Sequence, residues 1–285
     1  MDLHRVAESI GRNEALDRIA EPLAGIVKKV APSKSRVKDV LSGTWLGHAL
    51  HPLLTDIPIG SFTSATVLDL VGGPGSQRAA DRLVGLGLLS SVATAASGAA
   101  DWSDTYGDEM RTGAVHAGAN VTGVSLYALS AIARRRGHRG RATALGLAGM
   151  AAMTVGGYLG GFLGYVRGVG VNHAFSEHPP TDWTDVLGEQ ELRDGATTRV
   201  DVDDASVLLH RDGDAILAIG SRCSHAGGPL EEGDVDDSRC TVTCPWHRSE
   251  LRFDTGAVVH GPATVPQVAY GVRVVEGRIE VRARG

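Results

Sequence analysis

Four residues in the carboxy-terminal third of the chain have the types and spacing of metal ligands. They form two short pairs, Cys223-Ser224-His225 and Cys244-Pro245-Trp246-His247, with 18 residues between them. Each pair brings one thiolate and one imidazole to a loop. Two Cys and two His suit a two-iron, two-sulfur cluster in which imidazoles replace the thiolates on one iron. We therefore expect Cys223 and Cys244 to bind one iron, and His225 and His247 to bind the other.

Zinc is the alternative ligand for these four side chains. A structural zinc site usually reads Cys-x₂₋₄-Cys followed by His-x₃₋₅-His. Here the order is Cys, His, Cys, His, which favours the cluster and leaves zinc as the competing interpretation.

The residues around the two pairs resemble the Rieske ferredoxin family. The motifs Cys-Ser-His-x₄-Leu and Cys-Pro-Trp-His-x-Ser match that family, as do the loop residues Gly227-Gly228-Pro229 and Gly261-Pro262-Ala263. The resemblance covers roughly residues 181–284. It implies an all-β domain that holds a 2Fe–2S cluster and transfers single electrons to a redox partner protein.

Departures from the family pattern predict a low reduction potential. High-potential respiratory members have a disulfide at the positions of Gly228 and Trp246, and a tyrosine that bonds a cluster sulfur at the position of Leu251. Ser249 matches the family serine that can donate such a bond, whereas Arg248 stands where the family usually has glycine. Fewer bonds to sulfur stabilise the reduced cluster less, so we expect a potential in the lower part of the Rieske range, like that of dioxygenase ferredoxins.

The elements that must position the ligands read as short strands. Ser206–His210 and Ala215–Ile219 flank a turn, as do Val272–Val275 and Arg278–Arg282, so each pair predicts a β-hairpin. The third cysteine, Cys240, is interpreted as a small buried hydrophobe on a strand over residues 240–243.

The charge is uneven along the chain. Residues 176–285 contain 20 Asp and Glu against 11 Arg. This negative field disfavours nucleic-acid binding and could steer an electron carrier towards a basic partner, although it could also serve only solubility.

Residues 45–167 have the composition of membrane helices. Three runs carry no charge, namely 18 residues from Leu83, 21 from Gly113 and 25 from Ala142, and about 20 apolar residues span a bilayer. We predict four transmembrane helices near residues 50–71, 83–101, 113–133 and 142–166. A soluble bundle with an Ala-rich core is the alternative.

The entry to this region resembles a second family. His-Pro-Leu-Leu at residues 51–54, followed by Ile-Pro-Ile-Gly at 57–60, is similar to the opening signature of a four-helix membrane family, domain of unknown function 2231. The resemblance covers roughly residues 45–170 and implies fold and membrane location, but no established activity.

Two histidines lie near the starts of the first and third predicted spans. In an up-down bundle His51 and His116 would lie at one level, and two facing imidazoles could bind a b-type haem. The simpler interpretation is that they bond carboxylates such as Asp56 or Asp101, or lie at the membrane interface.

The N-terminal residues predict an amphipathic helix with a basic end. Apolar residues recur at helical spacing from Leu16 to Val30, followed by a cluster of lysines. Such a helix suits a membrane surface or could pack on the protein. Lys and Arg divide evenly between the two sides of the predicted bundle, so the positive-inside rule does not orient it. The first residues resemble no secretory signal, and the positions of the respiratory disulfide are not cysteine, so a cytoplasmic cluster domain is expected.

Together these patterns predict an α+β multidomain protein, in which a four-helix transmembrane bundle precedes an all-β Rieske domain. The expected boundaries are an amphipathic segment at 1–44, the bundle at 45–170, a linker at 171–184 and the Rieske domain at 185–285. The expected function is membrane-anchored single-electron transfer. A haem- or quinone-linked oxidoreductase subunit and a non-enzymatic redox sensor or scaffold are the alternatives.

Overall fold

The structure, a computed structural model, describes residues 2–284 and contains two compact units. The first is helical and comprises residues 2–30 and Leu50–Val169. The second is mainly β and comprises Ala31–Ala49 and residues 170–284. The expected N-terminal segment 1–44 is therefore divided between the two units.

The helical unit contains two short N-terminal helices and four long ones. Asp2 caps the first helix, because its carboxylate accepts hydrogen bonds from the backbone N–H groups of His4 and Arg5. The helices are α1 (Leu3–Gly11), α2 (Asp17–Val30), α4 (Leu50–Val71), α5 (Gln77–Trp102), α6 (Gly107–Arg135) and α7 (Arg139–Gly161).

The four long helices cover the four segments predicted as spans, three of which contain the uncharged runs. Two of them, over Pro74–Trp102 and Arg139–Val166, are long and apolar enough to cross a membrane. The other two long helices, α4 and α6, are not among these candidate spans. Membrane crossing by α4 and α6 stays a prediction.

The core of the helical unit is aromatic in its middle and ionic at one end. Phe62 and Tyr127 stack with ring centroids 4.0 Å apart, and the buried Arg134 guanidinium bonds the carboxylates of Asp69 and Asp81. A buried guanidinium must be paired in this way, because an isolated buried charge is strongly unfavourable.

Helix α2 presents its larger apolar side chains outwards. Ala20 and Ala24 are buried against Met110, whereas Ile19 and Ile26 are 60% and 57% exposed. The alanine face therefore packs on the unit, as one interpretation of the amphipathic segment predicts. A separate apolar face stays uncovered, and its binding to a membrane surface stays a prediction.

The β unit consists of three antiparallel sheets and one helix, α3 (Arg36–Ser42). Both predicted hairpins are confirmed, as β3–β4 and β9–β10. The sheet orders are β1-β10-β9, β2-β3-β4 and β5-β6-β7-β8. The strands are β1 (Thr184–Gly188), β2 (Thr197–Val202), β3 (Ala205–Asp212), β4 (Ala215–Gly220), β5 (Asp234–Asp236), β6 (Thr241–Thr243), β7 (Glu250–Arg252), β8 (Val258–His260), β9 (Tyr270–Val275) and β10 (Arg278–Ala283).

The core of the β unit extends directly to the predicted cluster ligands. Leu208, Val242 and Leu251 are fully buried and pack in one cluster with Cys223 and Cys244. The thiols are therefore held by side chains that belong to strands on either side of them.

Candidate iron–sulfur centre

The two ligand loops have the same backbone conformation. In the first, the Gly227 N–H donates to the Cys223 carbonyl at 2.8 Å and the Cys223 N–H donates to the Gly228 carbonyl at 2.9 Å. The second repeats this arrangement four and five residues after its cysteine: the Arg248 N–H donates to Cys244 at 3.1 Å, and the Cys244 N–H donates to Ser249 at 2.8 Å. Each loop thus closes around one thiol.

Because the two loops have the same conformation, the first loop shows why the family usually has glycine at the position of Arg248. Gly227 and Arg248 occupy the same position in their loops, and both have left-handed backbone angles, with φ of +75° and +66°. A residue with a Cβ is strained there. Arg248 retains the conformation that the family's glycine would adopt, and its side chain bonds the Asp234 carboxylate at 2.7 Å.

All four predicted ligands lie together at the tips of these loops. The Cys223 and Cys244 side chains, each 1% exposed, are hydrogen-bonded to each other. The ring centroids of His225 and His247 are 4.7 Å apart. A Cβ at Gly228 would lie 2.9 Å from the Cys244 sulfur, so only glycine fits beside that ligand.

His225 carries the clearest sign of an intended ligand. Its Nδ1 atom is buried and has no hydrogen-bond partner, which is unfavourable for a polar atom unless a metal takes its lone pair. Burial, and then the positive potential of His247, Lys38 and His173, lowers the pKa of His225 to about 3. The imidazole is therefore neutral, as a metal ligand must be.

The thiols are surrounded by donors that favour the thiolate form. The bond from Cys223, together with the backbone N–H groups of Trp246 and His247, lowers the pKa of Cys244 to about 6. The pKa of Cys223 is raised, first by its hydrogen bond with Cys244 and then by burial. The backbone N–H groups of His225 and Ala226 act in the opposite direction and lower it. Both sulfurs thus lie among backbone donors that would stabilise an anionic ligand.

The four side chains are arranged as two pairs, a pair of thiols and a pair of imidazoles. A 2Fe–2S cluster needs two thiolates at one iron and two imidazoles at the other, and the thiol pair and the ring pair supply them.

Ser249 and Leu251 are the two positions on which the predicted low potential depends, and that potential stays a prediction. Ser249 is fully buried, and its oxygen accepts a bond from the Ala263 N–H at 2.9 Å, which leaves its own O–H to donate to another group. Leu251 is a core residue with no polar atom. Cys240 is half-buried in a left-handed turn just before β6, so its placement on the strand was wrong.

The N-terminal segment contributes contacts to the site that the sequence analysis missed. The Lys34 ammonium lies 2.9 Å from both the Thr243 hydroxyl and the buried Glu250 carboxylate. Asp39 accepts bonds from the Gly261 N–H at 2.9 Å and the His260 ring at 2.8 Å. No local pattern signals these contacts, because they join residues more than 200 positions apart.

The two membrane-domain histidines also lie close together, with ring centroids 6.3 Å apart. Each ring bonds a backbone carbonyl, His51 that of Thr94 at 3.0 Å and His116 that of Gly156 at 2.7 Å. The Asn120 amide nitrogen also lies 3.3 Å from Nε2 of His116. The carboxylate partners expected by the simpler interpretation are not the groups that these rings bond.

Comparison with known proteins matches both parts of the chain. Residues 182–276 match the Rieske 2Fe-2S domain, and residues 47–173 match a domain described as "Predicted membrane protein (DUF2231)". The 3-phenylpropionate/cinnamic acid dioxygenase ferredoxin subunit of Photorhabdus laumondii is 36% identical over 32% of this chain and 86% of its own length. Ferredoxin CarAc of Metapseudomonas resinovorans is 31% identical over 35% of this chain and 92% of its own.

Among solved structures, the ferredoxin of carbazole 1,9a-dioxygenase from Nocardioides aromaticivorans IC177 is 33% identical. The match covers 36% of this chain and 98% of that one, with a TM-score of 0.34.

Proposed function

The chain belongs to the Rieske 2Fe-2S family and also contains a DUF2231 domain, and on this premise we propose that it is a membrane-anchored carrier of single electrons. The observation that carries the proposal is the pairing of Cys223 with Cys244 and of His225 with His247, together with the buried His225 Nδ1 that has no hydrogen-bond partner. Relatives named as dioxygenase ferredoxin subunits support the same role.

The residues would act by holding the cluster and setting its environment. Cys223 and Cys244 would hold one iron, and the neutral rings of His225 and His247 the other. When bound, the cluster supplies a one-electron couple. The backbone N–H groups around the thiols and the Ser249 hydroxyl would stabilise the extra negative charge of the reduced state.

The electron would leave on the side of the imidazole ligands. Trp246, beside His247, is 53% exposed, whereas both cysteines are buried. A partner protein that contacts Trp246 would come close to the histidine-bound iron without opening the core. The acidic charge of residues 176–285 suits a partner with a basic docking face.

We propose that the helical unit anchors this carrier in the membrane. The support is the match to a predicted membrane protein family, the two apolar helices and the uncovered side chains of Ile19 and Ile26 on α2. Confinement to a membrane surface raises the effective concentration of a carrier near a membrane-bound partner.

The cluster domain is proposed to face the cytoplasm, with all four long helices crossing the bilayer. The segments before α4 and after α7 belong to the same β unit, which requires an even number of crossings. The three cysteines are all free, and Gly228 and Trp246 stand where a disulfide would suit an oxidising compartment.

Protein-film voltammetry on the purified full-length protein tests the proposed carrier role. We expect a reversible one-electron wave near the lower end of the Rieske range of roughly −150 to +300 mV. A purely structural role would instead leave iron and acid-labile sulfide bound but give no fast reversible wave, and that outcome would contradict the proposal.

A further inference from the structure

The first helical hairpin, α4–α5, holds a histidine in a specific setting. The His51 Nδ1 atom lies 3.0 Å from the Thr94 carbonyl oxygen on α5. One turn further along α5, a Cβ at Gly98 would lie 2.6 Å from the His51 ring. The ring therefore bonds one carbonyl and occupies the space left by the glycine four residues later.

The second hairpin, α6–α7, repeats this setting. The His116 Nδ1 atom lies 2.7 Å from the Gly156 carbonyl oxygen on α7. A Cβ at Gly160, again four residues later, would lie 3.0 Å from the His116 ring. The Asn120 amide nitrogen lies 3.0 Å from the His116 carbonyl and 3.3 Å from the ring Nε2.

The repetition extends along both hairpins, so it is not a coincidence of two histidines. Eleven residues after each histidine stands an aromatic residue, Phe62 and Tyr127, and these two rings stack on each other. Each aromatic ring in turn lies against a glycine, since a Cβ at Gly87 or Gly149 would lie 2.6 or 3.0 Å from it.

A further layer follows seven residues later, where Asp69 and Arg134 form an ion pair. Residues at equivalent positions of α4 and α6 therefore meet as pairs: histidine with histidine, aromatic with aromatic, and acid with base. The matching spacing and contacts indicate that the two hairpins are repeats of one structural unit. The midplane between such repeats is where ligands bind in many membrane proteins.

The hydrogen bonds determine which ring nitrogens are available to a ligand. A carbonyl oxygen only accepts, so Nδ1 of His51 and of His116 carries the proton in each neutral ring. The lone pairs are then on the Nε2 atoms. The Nε2 atom of His116 lies 3.3 Å from the Asn120 amide nitrogen, and a metal bound there would replace this contact. A metal-ligating histidine usually donates the N–H of its other ring nitrogen to an acceptor, and this hydrogen bond fixes the tautomer and the orientation of the ring.

The number of protein side chains at this pair indicates which metal ion or metal-containing cofactor would bind. Within residues 2–284, no third His, Cys, Asp or Glu joins this pair as a ligand, and a bare zinc ion takes four ligands. Iron in a porphyrin already has four equatorial nitrogens and needs only two axial ones. Metal–imidazole bonds of about 2.0–2.1 Å in line put the ring centroids about 6.3 Å apart, and the centroids of His51 and His116 are 6.3 Å apart.

We propose that His51 and His116 are the axial ligands of a b-type haem, bound between the two helical repeats as a second one-electron centre of the chain. The glycines at positions 98 and 160 keep the space that the two rings need. This proposal concerns the helical unit and does not depend on the function proposed for the cluster domain.

The test is haem binding by full-length protein purified in detergent from membranes of cells supplied with haem precursor, followed by titration with hemin. We expect about one haem per chain by pyridine haemochrome assay and a six-coordinate low-spin optical spectrum. Because the ring planes are 83° apart, the ferric EPR signal should be strongly anisotropic. His51→Ala and His116→Ala should each lower haem content at least tenfold, whereas His138→Ala, an exposed histidine outside the site, should not.

Variants of the two glycines test the haem site without removing either histidine. Gly98→Ala and Gly160→Ala leave both histidines in place but crowd their rings, and each should reduce haem content several-fold. Gly118→Ala on α6 is the matched control, because a Cβ there meets nothing within 4 Å. Far-ultraviolet circular dichroism and a single symmetrical peak in detergent gel filtration, measured for every variant, show that the helical unit is folded whether or not the cluster is present. The proposal is overturned if the wild type binds no hemin, if both histidine variants bind it unchanged, or if zinc or copper occupies the pair instead.

Discussion

At the scale of single residues, Ser249 is the side chain best placed to tune the cluster. Its oxygen already accepts a bond from Ala263, so its O–H is free to donate, and a donor to a cluster sulfur favours the reduced state. Ser249→Ala should lower the potential by about 60 mV, which for one electron equals about 1.4 kcal/mol. Voltammetry beside Ser238→Ala, whose hydroxyl bonds only Asp236 on the surface, gives the comparison; equal potentials in both variants would refute this role.

The left-handed angle at Arg248 gives a second prediction at this scale. Arg248→Gly should leave stability within about 1 kcal/mol of wild type, because relief of strain offsets loss of the exposed ion pair. Arg248→Val should be destabilised by more than about 1 kcal/mol, since a β-branched residue resists positive φ. The loss of cluster absorbance on heating measures both, and a valine variant as stable as the glycine variant would contradict the account.

At the scale of elements, the segment around α3 helps to hold the cluster loops. Glu250 is buried, and although its burial raises the pKa, the Lys34 ammonium, the Thr241 hydroxyl and Arg239 together lower it below the ordinary value. The carboxylate therefore stabilises the fold above the pKa of the unfolded chain, and this contribution is lost as the pH falls through the lowered pKa.

Lys34→Met tests this contact. Breaking one partner of a buried ion pair costs several kcal/mol, but Arg239 remains and Lys34 is one-third exposed, so we expect a loss of about 1–3 kcal/mol. The pH of half-loss of the cluster should also rise, because the pKa of Glu250 returns upwards. Asp234→Asn removes only an exposed pair and should change stability by less than about 0.5 kcal/mol. If the two variants behave alike, the segment does not brace the site.

The same elements show what could be predicted from the sequence and why. The hairpins and the four long helices follow from local periodicity, and the structure has them at the expected positions. The spacing of the Cys and His residues also predicted that they would meet, and they do so as two pairs; their role as ligands stays a prediction. The contacts of Lys34 and Asp39 with residues near positions 250 and 260 leave no local pattern. The sequence also did not predict that α6–α7 repeats α4–α5, because only a few residues, such as His51 and His116, match between sequences that otherwise differ.

At the scale of the whole molecule, we predict that the chain is anchored in the membrane, with the segments before α4 and after α7 on the same side of the bilayer. The chain should stay with membranes through high-salt and alkaline carbonate washes and be released only by detergent. A protease site placed in the α6–α7 loop near Arg136 and a tag at the carboxy terminus should be accessible from opposite faces, because α7 lies between them. Release by carbonate, or access to both from one face, would contradict four crossings.

The most direct test of the cluster itself is EPR of dithionite-reduced full-length protein, compared with His225→Ala and His247→Ala. We expect the wild type to give the rhombic signal of a histidine-ligated 2Fe–2S cluster, with two irons per chain, and both variants to lose this signal. A wild type without this signal, or variants that keep wild-type iron content and signal, would show that these two imidazoles do not bind a cluster.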